Sequence, residues 1–359
     1  MNIISRYIAA AYLRIFGLCV AAFVAIYLVI DFLEKIGRFL RFQPLWTDVI
    51  QYFLLKVPEI VTQVLPLAVL MATLLTLGML SRNSEITAMR GCGVSLGMIS
   101  APILAIACLM SLLTIISNEF LLPETYSRMR YVEQVSIRKK SANTFFRQNN
   151  IWHKDGATIL KARLFDPAHQ TLRGITLWQF AEGLRPIKRI DADGGVWDGR
   201  TWTLQKVTVR DIARGGVTPA TKAEALPVAL NLTVDDLKVV DKYADNMGFL
   251  RLREYIRKLR KGGYETTRYE AQMHAKISLP FASLIMAFLG IPFALRGGRS
   301  SGIALGIGAS IAIGFTYFII NSMLISFGQT GLLPPLVSAW AANLIFALTG
   351  IWLAMTVNR

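Results

Sequence analysis

Long apolar runs at the two ends of the chain, free of any charged side chain, constrain its fold more than any other feature. Ile60 to Leu80 is 21 residues without a charge, Gly91 to Asn118 is 28, and Ile277 to Leu295 is 19. Each is long enough to cross a hydrocarbon core of about 30 Å as a helix, and a helix satisfies its own backbone there. Ser300 to Asn358 runs 59 residues without a charge. That is too long for one crossing, and GQTGLLPP at Gly328 to Pro335 divides it into helices near Ile303 to Phe327 and Leu336 to Val357. The first run, Ile15 to Ile30, has only 16 residues, but Arg14 can snorkel and lets that helix reach back to about Tyr7. Six spans result. Arg6 and Arg14 ahead of an apolar core also suit a signal peptide, yet no small-residue cleavage pattern closes the core before Asp31 and Glu34, so the first span is expected to be uncleaved.

Six crossings leave both termini on one side. Short segments on that side carry Arg6, Arg14, Arg82, Arg90, Arg296, Arg299 and Arg359 against the single acid Glu85. The other side carries Lys35, Arg38, Arg41 and Lys56 with Asp31, Glu34, Asp48 and Glu59. The positive-inside rule therefore places the termini in the cytoplasm, although four basic residues on the far side need a reason to be there. Cys19, Cys92 and Cys108 fall in spans or on the cytoplasmic side, so neither a disulfide framework nor a metal-ligand spacing is expected.

Between the third and fourth spans, Leu121 to Lys276 holds 28 of the 39 basic and 17 of the 23 acidic residues, a basic excess of eleven. Alternating runs at Thr171 to Phe180, Pro186 to Trp197 and Thr201 to Ile212 are separated by turn signals such as Asp166-Pro167 and Asp198-Gly199. These predict an antiparallel sandwich or jelly roll outside the membrane. Leu250, Leu252, Tyr255, Ile256 and Leu259 then form a helical stripe beside Arg251, Arg253, Arg257, Lys258, Arg260 and Lys261, with Gly262-Gly263 as its stop. The predicted class is an α-helical membrane protein with six transmembrane helices and an inserted all-β domain. Its division is 1–120 for three spans with a polar helix near 82–92, 121–247 for the β domain, 248–276 for an amphipathic helix leading into the fourth span, and 277–359 for the last three spans.

Chemistry of its own is not expected of this chain. His153, His169 and His274 are far apart, no GxSxG or GxxxxGK[ST] occurs, and GGRSSG at Gly297 to Gly302 reads as a tight turn. No catalytic residue, metal site or cofactor is predicted, and energy for any transport must come from another polypeptide. The segment SRNSEITAMRGCG offers a way to receive it. Ser84 can cap a two-turn helix with Glu85 in its first turn, Ile86, Met89 and Arg90 share a face, and Gly91 and Gly93 end it. So short a helix needs a cover, and a groove on a soluble ATPase would take Ile86 and Met89 as apolar anchors and Glu85 and Arg90 as polar fixings.

The whole chain resembles the LptF and LptG permease subunits of the bacterial lipopolysaccharide exporter. The motifs that carry the resemblance are RYI at Arg6 to Ile8, the block from Val57 to Gly93 ending in SRNSEITAMRGCG, GVWDGRTWTL at Gly195 to Leu204, and LPPLVSAWAANLIF at Leu333 to Phe346. IDFLEKIGRFL, Ile30 to Leu40, and the last span that opens on LPP look more like LptG than LptF. The resemblance implies a bacterial inner-membrane protein with a periplasmic β-jelly roll, a second LptF-like permease, two copies of an LptB-like cytoplasmic ATPase, and an LptC/LptA-like jelly-roll relay. It also implies that lipopolysaccharide leaves the outer leaflet through lateral gates built from first and fifth spans, here near Tyr7 to Leu33 and Ile303 to Phe327. Ser84, Glu85, Ile86, Met89 and Arg90 then become the ATPase-coupling set, and Lys35, Arg38 and Arg41 the contacts to lipid phosphate. Gly306, Gly314 and Phe318 become gate residues, the glycines belonging to a small-residue ladder with Gly302 and Gly308. Competing readings are the LptF paralogue of the same machine, a membrane scaffold that docks periplasmic proteins, and a lipid-modifying enzyme.

Overall fold

A computed structural model describes residues 3–138, 148–155, 157–166, 170–181, 185–199, 201–213, 216–217, 220–228, 232, 247–261, 265–296 and 303–357. The chain divides into two compact units: Met1–Glu133, Asp245–Ile256 and Thr266–Arg359 form one, and Gln134–Ala244 with Arg257–Glu265 the other.

The first unit is helical. Its elements are α1 (Ile3–Leu40), α2 (Trp46–Arg82), α3 (Glu85–Gly91), α4 (Leu96–Ile116), α5 (Leu122–Tyr131), α6 (Phe249–Lys261), α7 (Thr267–Arg296), α8 (Ile303–Gln329) and α9 (Pro335–Val357), α6 running on into the second unit. Among the described residues, six helical stretches are long and apolar enough to cross a membrane: α1, α2, α7, α8, α9 and the stretch Leu96–Ile137, which begins with α4 and takes in α5. The third span does not stop at Asn118. It runs on through a π-helical turn, Ser117–Leu121, into α5, and a second π-helical turn follows at Val132–Ile137. Within the first of these turns Glu119 accepts the backbone N–H of Phe249 at 2.6 Å and that of Leu250 at 3.2 Å, capping α6. Leu252 and Ile256 of α6 are buried, whereas Leu250, expected in the same stripe, is exposed. The Gly262-Gly263 stop lies outside the described residues.

At the centre stand α2 and α7. α2 packs on α1, α7 and α8, and α7 on α2, α4, α8 and α9. Leu65, Leu70, Leu74 and Leu77 of α2 meet Met286 and Leu289 of α7, Ile99 and Ile103 of α4, and Tyr317 and Phe346 of α8 and α9 in one apolar core. Two polar bonds lock the later spans: Tyr317 Oη donates to Asn343 Oδ1 at 2.8 Å, and Asn343 Nδ2 donates to the Ser278 carbonyl at 2.6 Å. α1 contributes a stripe at Ile8, Tyr12, Phe16 and Cys19, the period of one helix face. From Val20 to Ile30 no residue of α1 is buried.

The second unit is built on strands β1 (Gln148–Asp155), β2 (Thr158–Asp166), β3 (Thr171–Ala181), β4 (Arg185–Trp197), β5 (Trp202–Ala213), β6 (Gly216–Val217) and β7 (Thr221–Val228). The three alternating runs of the sequence are β3, β4 and β5. Pairing is antiparallel in the order β1-β2-β3-β4-β5-β7, with β6 on the far end of β5. The inserted β domain is thus present, and its described strands form one meander. Its core includes Leu160, Leu172, Ile175, Leu177, Ile190 and Leu204, closed by Trp202, whose indole N–H donates to the Leu232 carbonyl at 2.7 Å.

Alternation in this sheet slips by one residue along a row. Ala162 and Phe165 are both buried, as are Leu172 and Ile175, Ala192 and Gly195, and Leu204 and Val207. Between the members of these pairs lie Arg163, Gly174, Asp193 and Lys206, side by side across four strands. Gly174 and Lys206 adopt positive φ, 63° and 51°. A local backbone twist there re-aims the next side chain inward, which creases the sheet from β2 to β5.

Candidate functional site

Two groups of residues at opposite ends of α1 carry the polar chemistry of the helical unit. The first arises from the α1–α2 hairpin. Its turn is Arg41 to Leu45, and antiparallel helices bring together residues equally distant from the turn. Asp31 and Lys56 meet this condition about the point between 43 and 44, and so do Lys35 and Tyr52. Lys56 Nζ lies 2.6 Å from Asp31 Oδ1, Lys35 Nζ lies 2.9 Å from the same oxygen, and Lys35 also donates to Tyr52 Oη at 2.9 Å. Asp31 and Lys56 are only 7% and 8% exposed. Rings complete the enclosure: Lys35 stands 5.2 Å from the Tyr52 ring centre and Lys56 5.8 Å from that of Tyr27, while Phe39 packs edge-on against Tyr52. A carboxylate shared by two ammonium groups in this setting is held by charge-assisted bonds that water cannot easily replace.

Of the three predicted phosphate contacts, only Lys35 belongs to this cluster. Arg38 is exposed and pairs with Glu34 one turn back at 3.2 Å. Arg41 is exposed in the turn and makes no ion pair among the described residues. Asp31, Tyr52 and Lys56 escaped the sequence reading as site residues. The signal that would have found them is their symmetric placement about the hairpin turn, which matches an acid to a base between two apolar runs.

The second group surrounds α3. Ser84 sits at its N-cap, but the expected side-chain cap is not formed: Ser84 is left-handed at φ 61°, its hydroxyl makes no capping bond, and only its carbonyl accepts from Ala88 N. The left-handed turn is what lets α3 follow α2 after Asn83 without a longer loop. Glu85 instead bonds within the chain, Oε2 accepting from Tyr7 Oη at 2.8 Å and Oε1 from Asn83 Nδ2 at 3.2 Å. The C-terminus closes as a Schellman motif: Gly93 takes φ 83°, its N–H donates to Arg90 O, and the Val94 N–H donates to Met89 O. Gly93 is therefore the stop, while Gly91 is the last helical residue.

The apolar anchors also differ from expectation. Ile86 is 5% exposed in the core of its own chain, and Met89 packs against that core. Two turns of helix cannot stand alone, and the chain itself covers this apolar side. The face turned outward is Thr87, Ala88, Arg90 and Gly91.

The predicted gate residues lie on α8. A side-chain carbon at Gly314 would overlap the end of the Leu67 side chain of α2, which would have to shift, so the glycine lets α8 lie close to α2 at this point. One at Gly306 would meet Leu75 at 3.6 Å, an ordinary contact, and Gly308 has open space; Gly302 lies outside the described residues. Phe318 packs edge-on to Tyr317 and lines a cleft of about 290 Å³ with Glu59, Gln63, Asn118, Lys276 and Tyr317. α1 and α8 both pack on α2. α8 leaves Ile311, Phe315, Ile319 and Met323 exposed on one side.

With this geometry in view, comparison with known proteins finds the family described as lipopolysaccharide export system permease LptF/LptG, matching residues 6–356. Among curated relatives, lipopolysaccharide export system permease protein LptG of Escherichia coli K12 is 26% identical over 310 residues, covering 85% of this chain and 84% of the relative. The protein of the same name from Haemophilus influenzae is 25% identical over 361 residues, covering 98% of each.

Proposed function

Because the chain belongs to the LptF/LptG family of lipopolysaccharide export permeases, we propose that it is an LptG-type subunit that extracts lipopolysaccharide from the outer leaflet of the inner membrane and passes it to a periplasmic bridge. The observation that carries this reading is the family match from residue 6 to 356, which takes in every span, α3 and the sheet. In this reading an LptF-like permease pairs with the chain, two copies of an LptB-like ATPase supply the energy, and an LptC/LptA-like relay receives the lipid. Both termini and α3 are cytoplasmic, and the β domain is periplasmic.

At the periplasmic end, Arg41 is free to meet a phosphate of lipid A. Lys35 meets it by exchanging Asp31 for the phosphate, one anion for another, while Lys56 keeps the carboxylate neutralised. Arg38 adds a weaker, solvent-facing contact. Each charge-assisted bond in a partly dehydrated site is worth about 1.5 to 3 kcal/mol, enough to favour an anionic headgroup over a neutral one. Acyl chains need only apolar walls. The unburied stretch of α1 from Val20 to Ile30 and the Ile311, Phe315, Ile319 side of α8 supply them. Gly314 holds α8 near α2, and Gly306 and Phe318 lie on the same gate helix.

At the cytoplasmic end, α3 enters a groove of the ATPase with Arg90 and the Thr87–Ala88 surface outward and Glu85 at its rim. Ile86 and Met89 serve the coupling from the inner side, by fixing α3 to the spans it moves. The test is purification of the chain with a soluble ATPase and a second six-span protein, followed by measurement of lipopolysaccharide release per ATP hydrolysed. Glu85→Lys should leave the complex assembled and abolish most release. Release that is independent of the ATPase, or undiminished in Glu85→Lys, would overturn the reading; the latter is what a passive scaffold would give.

A further inference from the structure

Tyr7 is fixed at its base and open at its tip. Its neighbour Ile8 is fully buried, as is Tyr12 one turn on, so the backbone at Tyr7 is held by the core. Its own side chain is 51% exposed, and its hydroxyl reaches across 78 residues to Glu85. Packing alone does not call for a tyrosine here, since half of the ring meets no protein. What the hydroxyl does is occupy one oxygen of the Glu85 carboxylate while Asn83 occupies the other.

A glutamate at the start of a two-turn helix has three rotatable side-chain bonds and ordinarily samples many orientations. With a donor on each oxygen, this carboxylate is aimed before any partner arrives, and each oxygen keeps a lone pair for an incoming donor. We infer that Tyr7 is a positioning residue for energy coupling: its hydroxyl orients the Glu85 carboxylate toward the ATP-hydrolysing partner and links displacement of α3 directly to α1. The inference rests on the reading of α3 as the coupling helix. In the free chain the bond competes with water, but a partner seated on α3 would exclude water and strengthen it when force is transmitted. α1 then receives movement at Tyr7 and carries it along one continuous helix toward Asp31.

The experiment uses the full complex in proteoliposomes and reads lipopolysaccharide released per ATP hydrolysed, together with complex yield and melting temperature. Tyr7→Phe keeps the ring and removes only the hydroxyl. Yield and melting should be unchanged while the release ratio falls roughly three- to tenfold. In a Glu85→Ala background, Tyr7→Phe should change the ratio no further, because its route of action has been removed. An unchanged ratio in Tyr7→Phe overturns the inference, and so does a loss of yield or melting temperature with the ratio preserved, which marks a merely structural residue. If Glu85→Ala lowers the ratio and Tyr7→Phe does not, only the role of Tyr7 fails. If Glu85→Ala itself leaves the ratio intact, the coupling reading fails with it.

Discussion

At one end of α1, Asp31 is shut between two lysines and three aromatic rings; at the other, Tyr7 meets Glu85 with its ring half in solvent. Both join α1 to a neighbouring element through a carboxylate, yet they do so on different terms. The buried cluster sacrifices hydration and is held as long as Asp31 is present, because its removal leaves two ammonium groups stranded. The exposed bond contributes little to stability and can be made and broken without unfolding anything. Between the two, α1 has no buried residue from Val20 to Ile30. One helix is thus anchored at a stiff end, joined by an exposed bond at a soft end, and only partly covered in the middle, where Val20 and Phe23 lie against the core.

The largest test of this contrast is Asp31→Ala. It strands Lys56 and Lys35 together, and the chain should lose about 3 to 5 kcal/mol, seen as a large drop in the melting temperature of the purified complex. Asp31→Asn with Lys56→Met should recover most of that loss; if the double variant is no better than the single, the cluster is not what anchors α1. Next in size is Arg41→Glu, which touches no ion pair among the described residues. Lipopolysaccharide crosslinking should fall about tenfold while melting stays put. Equal loss of both would mean that Arg41 supports the fold rather than the lipid. The smallest effect belongs to Arg38→Ala, where an exposed pair within one helix is worth below about 1 kcal/mol. Raising salt should erase that difference and leave the Asp31 cluster intact, since buried pairs are screened far less. A cluster that melts with salt as readily as the Arg38–Glu34 pair would erase the distinction between the two kinds of contact.

The spans and the strands β3, β4 and β5 were readable because each rests on a local rule: the length of an uncharged run, or alternation on either side of the crease. The Asp31–Lys56 pair was not, since it depends on the register of two helices across a turn. Its members were counted in the sequence only as charges on one side of the membrane. Glu119 capping α6 is a contact over 130 residues and leaves no local pattern. At α3 the helix itself and its Gly93 stop were legible from spacing. The Ser84 cap was not, because a serine before a helix says nothing of its φ. Nor was the inward turn of Ile86, because an apolar residue on a short helix does not say whose core it will join.

The crease through Arg163, Gly174, Asp193 and Lys206 has a bearing on how this domain can change. A continuous sheet has a single inside and outside, so one inserted residue in a strand exchanges the faces of everything beyond it. Here the exchange is already built in, and the sheet behaves as two panels whose facing is set separately. A strand could gain or lose a residue at the crease and disturb one panel alone, leaving the Trp202 end packed while the other end is reshaped.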